Sequence, residues 1–124
     1  MRTIVAIGIA GALGALARYG IGGLIVGRSA RAFPWETFVV NVTGSFVLGF
    51  AFTVMTEQLT TGPWLRTAVT VGFVGAYTTF STLAFETYRL IEDGALALAA
   101  ANVLGSAAAG LLAVYLGIVA GRAL

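Results

Sequence analysis

The sequence predicts an all-α integral membrane protein with four transmembrane helices, which together form one domain over residues 1–124. Only 10% of its residues are charged and 59% are hydrophobic, whereas soluble domains carry about 25% charged residues. Long apolar stretches fill most of the chain, and each reaches the ~20 residues that a helix needs to cross a bilayer. The predicted helices cover residues 3–27, 35–56, 65–92 and 95–121.

The first two helices begin at recognisable signals. The first is too long for a signal peptide and contains Arg18, so we interpret it as a membrane helix. It is rich in small residues, which allow another helix backbone to approach closely. Pro34 and Trp35 begin the second helix, because Pro is tolerated in the first helical turn and Trp prefers the membrane interface.

The third helix is expected to be broken near its middle. Residues 72–82 read GFVGAYTTFST, and glycine, β-branched and hydroxyl residues are weak helix formers. Carbonyls released by such a break must find other partners inside a membrane. In the fourth helix, Asn102 and Ser106 are four residues apart and therefore share one face.

The arginines are divided evenly between the two predicted membrane surfaces, which predicts insertion in both orientations, because an excess of Lys and Arg sets orientation. With no inverted repeat inside the chain, we expect an antiparallel, dual-topology homodimer in the lipid bilayer. Arg2, Arg66 and Arg122 fall on one side, and Arg28, Arg31 and Arg89 fall on the other.

Several classes of protein are not expected. The chain has no cysteine and no histidine, which excludes disulfides and imidazole chemistry. No basic cluster exceeds Arg28 with Arg31, so no nucleic acid partner is predicted. No nucleophile is paired with a base, so the chain is not expected to be an enzyme.

Polar residues inside the apolar stretches are candidate functional residues, since lipid cannot solvate them. The amide of Asn41 offers two N–H donors for a small anion, or an interhelical hydrogen bond. The other candidates are Arg18, the residues from Thr78 to Thr82, Glu86, Asn102 and Ser106.

Three motifs resemble the Fluc (CrcB) family of fluoride channels: residues 11–19 (GALGALARY), residues 41–49 (NVTGSFVLG) and residues 72–82. The resemblance spans all four helices. It implies a fluoride-selective, passive channel in the plasma or inner membrane, which exports cytoplasmic fluoride and so detoxifies the cell.

The resemblance also implies an ion pathway. Asn41 would lie at the pore, and Phe80 would contact fluoride through the positive edge of its ring. The family has a second phenylalanine where this chain has Leu83. Either Leu83 serves as an apolar wall, or another aromatic residue, such as Phe85, takes the place of the missing ring. The hydroxyls of Thr79, Ser81 and Thr82 either cap the freed backbone or line the path.

The backbone carbonyls of Gly75 and Thr78 would hold a structural Na⁺ at the dimer centre, in the family's manner. The residues alone are equally consistent with a hinge that binds no ion. Arg18 either snorkels to the interface or attracts anions at an aqueous vestibule. Glu86, Asn102 and Ser106 would belong to a polar track, although Asn102 stands where a tyrosine is common.

Two alternatives remain from other classes. A small four-helix multidrug transporter needs a carboxylate deep in its first helix, but this chain has Arg18 there and no acidic residue before Glu36. A non-transporting membrane subunit held together by glycine packing would not explain polar residues in three separate segments.

Overall fold

The protein is described by a computed structural model over residues 1–26 and 32–124, in which every regular element is a helix and no strand occurs. Four helical segments are long and apolar enough to cross a membrane, which confirms the predicted four-helix membrane architecture. Arg28 and Arg31, assigned above to one membrane surface, lie outside the described residues. The four spans are Arg2–Val26, Trp35–Gln58, Pro63–Glu92 and Leu96–Arg122.

Two of the spans contain more than one kind of helix. The first span is α1, Arg2–Val26, and the second is α2, Trp35–Thr53, which continues as a π-helical turn over Val54–Gln58. The fourth is α6, Leu96–Arg122. The third span consists of α3 (Pro63–Thr67), a π-helical stretch (Ala68–Val74), α4 (Gly75–Tyr77) and α5 (Phe80–Glu92).

Between α4 and α5, Thr78 and Thr79 have extended backbone conformations. The dihedral angles are φ −84° and ψ 159° at Thr78, and φ −151° and ψ 118° at Thr79. Thr79 is the N-cap of α5, because its Oγ1 accepts a hydrogen bond of 3.2 Å from the backbone N–H of Thr82. β-Branched hydroxyl residues suit both the extended conformation and the cap.

Glycines bring the helix backbones into direct contact. The most extensive helix pair is α2 with α6, where Gly117 lies against the backbone of Phe46 and Phe50. Gly14 of α1 lies in the same way against the backbone of Phe73. Lipid tails are as apolar as side chains, so close van der Waals packing of this kind is a main source of helix association in membranes.

We expect Gly117→Ala to destabilise the protein by about 1–3 kcal/mol, because overpacking forces the α2 and α6 backbones apart. A Cβ at position 117 would lie 2.8 Å from the backbone nitrogen of Phe50. The matched control is Gly105→Ala in the same helix, whose Cβ would meet nothing within 4 Å. Thermal unfolding in detergent measures both, and equal midpoints would contradict the close packing.

Candidate functional site

A cavity of about 250 Å³ lies where α2 meets the third span. It brings together five of the predicted site residues, of which Asn41 is some 40 positions away from the other four in the sequence. The extended residues and the first turn of α5 form one wall, and α2 forms the other. The lining residues are Asn41, Gly44, Ser45, Leu48, Val74, Thr78, Thr79, Phe80 and Leu83.

The side chain of Asn41 holds both backbone polar groups of Thr79. Asn41 Nδ2 donates to the Thr79 carbonyl oxygen at 3.0 Å, and Asn41 Oδ1 accepts from the Thr79 N–H at 2.8 Å. A backbone N–H can only donate, so the amide orientation is fixed by its partners. We call this pair of bonds the Asn41–Thr79 clamp. Of the two roles considered for Asn41, the clamp is the hydrogen bond between spans; it occupies one of the two Nδ2 hydrogens, and contact with an anion stays a prediction.

The clamp and the cap together release the two carbonyls predicted to bind a cation. In an uninterrupted helix the N–H of residue i bonds the carbonyl of residue i−4. Here the Thr79 N–H bonds Asn41 instead of Gly75, and the Thr82 N–H bonds Thr79 Oγ1 instead of Thr78. The carbonyls of Gly75 and Thr78 therefore lose their helical donors to side chains.

The ring of Phe80 is 81% exposed on the single chain while it also lines the cavity. Ser81 and Thr82, which follow it, are exposed as well. Thr79 Oγ1 donates to Thr82 Oγ1 at 2.9 Å and lies 3.3 Å from Ser81 Oγ. The expected capping role is thus confirmed for Thr79, whereas lining of an ion path by these hydroxyls stays a prediction.

Arg18 lies in a second cavity, of about 390 Å³, that shares Thr79 with the first. Its Nη1 donates to the Thr78 carbonyl at 3.5 Å. Thr82 and Glu36 also line this second cavity. The second cavity therefore holds one positive side chain, Arg18, and one negative side chain, Glu36.

Glu86 is held by Thr37, a residue that the sequence analysis did not single out. Thr37 Oγ1 donates to Glu86 Oε1 at 2.6 Å, and Glu86 Oε2 is buried without a partner among the described residues. Thr37 lies one turn before Asn41 on the same face of α2, and this spacing is the signal that would have found it. Glu36 of α2 shares a further cavity with Glu86.

Asn102 and Ser106 are buried in α6 and line neither of the first two cavities. Asn102 Nδ2 donates to Thr87 Oγ1 at 3.0 Å. Within the described ranges, Asn102 Oδ1 and Ser106 Oγ have no hydrogen-bond partner. Their membership of an ion pathway stays a prediction.

Comparison with known proteins identifies related sequences along the whole chain. A family model described as "CrcB-like protein, Camphor Resistance (CrcB)" matches residues 5–118. A protein of Geotalea daltonii named "Fluoride-specific ion channel FluC" is 45% identical over 122 residues, 98% of each chain. Its namesake in Geotalea uraniireducens is 44% identical over 124 residues, 100% of each chain. "Fluoride-specific ion channel FluC 2" of Geobacillus kaustophilus is 45% identical over 117 residues, covering 94% of this chain and 91% of that protein.

We expect Asn41→Asp to open the Asn41–Thr79 clamp, since a carboxylate accepts from the Thr79 N–H but repels its carbonyl. An unpaired carbonyl in the membrane costs about 1–3 kcal/mol, so backbone amides of residues 78–82 should exchange hydrogen faster. Exchange measured by mass spectrometry reports this change.

The control for the clamp is Ser45→Ala, which removes a cavity-lining hydroxyl that bonds only within α2, to the Asn41 carbonyl at 2.7 Å. Exchange in residues 78–82 that is equally slow in both variants and the parent would show that the clamp does not hold this segment.

Proposed function

Because the chain belongs to the CrcB family, we propose that it is a fluoride-specific ion channel, which lets fluoride leave the cytoplasm down its gradient. The observation that carries the proposal is the near full-length similarity, at 44–45% identity, to proteins named as such channels. The four apolar spans make the chain a multi-pass membrane protein. Fluoride enters cells as neutral HF, so a passive path for the anion relieves its accumulation.

The first cavity offers chemistry that suits a small, strongly hydrated anion. Passage requires groups that replace water without holding the ion tightly. The remaining N–H of Asn41 is one such group, and the positive ring edge of Phe80 is another. Both line the cavity, with Leu83 as an apolar wall. The hydroxyls of Ser81 and Thr82, exposed next to the cavity, would extend the path.

An antiparallel, dual-topology homodimer is part of the proposal. Exposed hydroxyls at Ser81 and Thr82, and exposed backbone at Gly75, lie within a membrane span. Lipid cannot solvate such groups, whereas a second copy of the chain would cover them. The even division of arginines between the two membrane surfaces supports the opposite orientations of the two copies.

A structural Na⁺ at the dimer centre is consistent with the released carbonyls of Gly75 and Thr78. Hard cations prefer oxygen ligands, and two copies of the chain would offer four such oxygens. The Thr78 carbonyl also accepts from Arg18, but a carbonyl oxygen has two lone pairs, so one remains. The released carbonyls thus fit a cation site in the third span, where Thr78 and Thr79 would form the functional break.

The alternatives find less support. α1 contains no acidic residue, so it lacks the carboxylate that a proton-coupled multidrug transporter needs in its first helix. A subunit that only packs by glycine contacts would have no use for a clamp that keeps two residues extended in the membrane.

Fluoride efflux from liposomes that contain the purified protein tests the function, and we expect Phe80→Ile to abolish it. Isoleucine keeps apolar bulk but removes the ring edge. A fluoride electrode measures the efflux, and the same liposomes loaded with chloride should show none above background. The control Phe52→Ile removes a half-exposed ring at the end of α2, outside the cavity.

Two outcomes would count against this proposal in different ways. A parent protein that passes no fluoride would refute the channel itself. A Phe80→Ile variant that conducts like the parent would leave the channel standing and refute ring-edge contact.

Reporters fused to the C-terminus should be active on both sides of the membrane in comparable amounts, because the arginine distribution gives no orientation bias. Adding two arginines after Leu124 should shift the reporters to one side and reduce efflux, since fewer antiparallel pairs would form. One-sided reporters in a fully active parent would rule out the antiparallel dimer.

A further inference from the structure

A chain of two hydrogen bonds connects α6 to the cavity-lining turn of α5. Asn102 Nδ2 donates to Thr87 Oγ1 at 3.0 Å, and Thr87 Oγ1 donates to the Leu83 carbonyl at 2.7 Å. We call these two bonds the Asn102 relay. Leu83 lines the first cavity together with Phe80, one turn nearer the start of α5. The relay therefore ends on the backbone of the turn that carries both candidate pore side chains.

The relay lies in the buried interior, where a polar group without a partner is destabilising. Asn102 is fully buried, with 0% of its surface exposed. A buried amide without a partner is strongly disfavoured, so Asn102 favours the rotation of α5 that brings Thr87 to it. α5 packs chiefly against α6 and only weakly against α2, which makes α6 the natural reference for its position.

We propose that Asn102 is a positioning residue of the channel, which acts through Thr87 to set the rotation of α5 and so the placement of Leu83 and Phe80. The part that concerns ion flow rests on the proposed function. The Asn41–Thr79 clamp and the Thr79 cap fix the start of α5, and the Asn102 relay fixes its rotation from the opposite side.

Direct contact between Asn102 and the permeating anion is disfavoured by the same geometry. Asn102 lines neither of the two cavities that hold Asn41, Phe80 and Arg18. One of its two Nδ2 hydrogens is bonded to Thr87 Oγ1, and its buried amide oxygen would repel an anion.

The test compares Asn102→Leu, Thr87→Val and the double variant with the conservative Thr87→Ser. Both single variants should lower fluoride efflux several-fold, and the double variant should lose no more than the more damaged single one, because each breaks the same relay. Thr87→Ser keeps the hydroxyl and should retain efflux. Val103→Ala, at the exposed neighbour of Asn102, should behave like the parent.

A spin label gives a second readout that does not depend on ion flow. The chain contains no cysteine, so Ala84→Cys, at an exposed position of α5, provides a unique attachment point. Asn102→Leu and Thr87→Val should change the spectrum in the same way, whereas Thr87→Ser should leave it unchanged.

Losses of efflux that add in the double variant, or spectra that stay unchanged in both single variants, would overturn the proposal. If Asn102→Leu fails to fold, efflux and the spectrum of Thr87→Val, which loses only the hydroxyl, test the proposal. If the parent passes no fluoride, the proposed function fails, and the spin-label comparison still tests the positioning of α5.

Discussion

The structure depends on one requirement, that every backbone N–H and C=O within a membrane find a partner. An extended segment in the middle of a span breaks the helical ladder and would leave several groups unpaired. The Asn41–Thr79 clamp pairs both backbone groups of Thr79. The Thr79 hydroxyl pairs the N–H of Thr82 in the first turn of α5. The carbonyls of Gly75 and Thr78 lack their helical donors because these two side chains take them.

The clamp in turn requires α2 to lie very close to the third span. Gly44, one turn after Asn41 on α2, lies directly against Tyr77 and Thr78, where a side chain would collide. The hydroxyl of Tyr77 is within hydrogen-bond distance of Thr43 Oγ1, at 2.8 Å. Gly44 packs against Tyr77 and Thr78, Thr43 contacts Tyr77, and Asn41 bonds Thr79. These contacts together hold the extended segment in place.

Hydropathy was sufficient to predict the four spans. The length of an apolar stretch is a local property of the sequence, and it decides whether a helix can cross the hydrocarbon. Helix propensity is also a local property, and the two extended residues Thr78 and Thr79 lie among the weak helix formers. The partner of Asn41 was not predictable, since Thr79 lies 38 residues away and the pairing depends on how two helices meet. The residue type alone allowed either donors for an anion or a hydrogen bond between helices at Asn41, and the structure shows the second.

The residues of α6 show a similar limit. The sequence predicted that Asn102 and Ser106 share a face, which follows from helical periodicity alone. It did not reveal that this face is buried, nor that Thr87 bonds Asn102. Thr87 was missed because threonine is common in membrane helices, and only its tertiary partner Asn102 distinguishes it from the rest.

The third span has a further consequence for how the protein fits its membrane. Pro63–Glu92 contains 30 residues, which as a regular helix would measure about 45 Å, well beyond the ~30 Å of hydrocarbon. Long helices adapt to bilayer thickness by tilting. If the two halves took different tilts, they would bend at the extended pair Thr78 and Thr79, which lines the cavity. A mismatch between the span and a thinner or thicker bilayer would then act on the contacts that hold this pair.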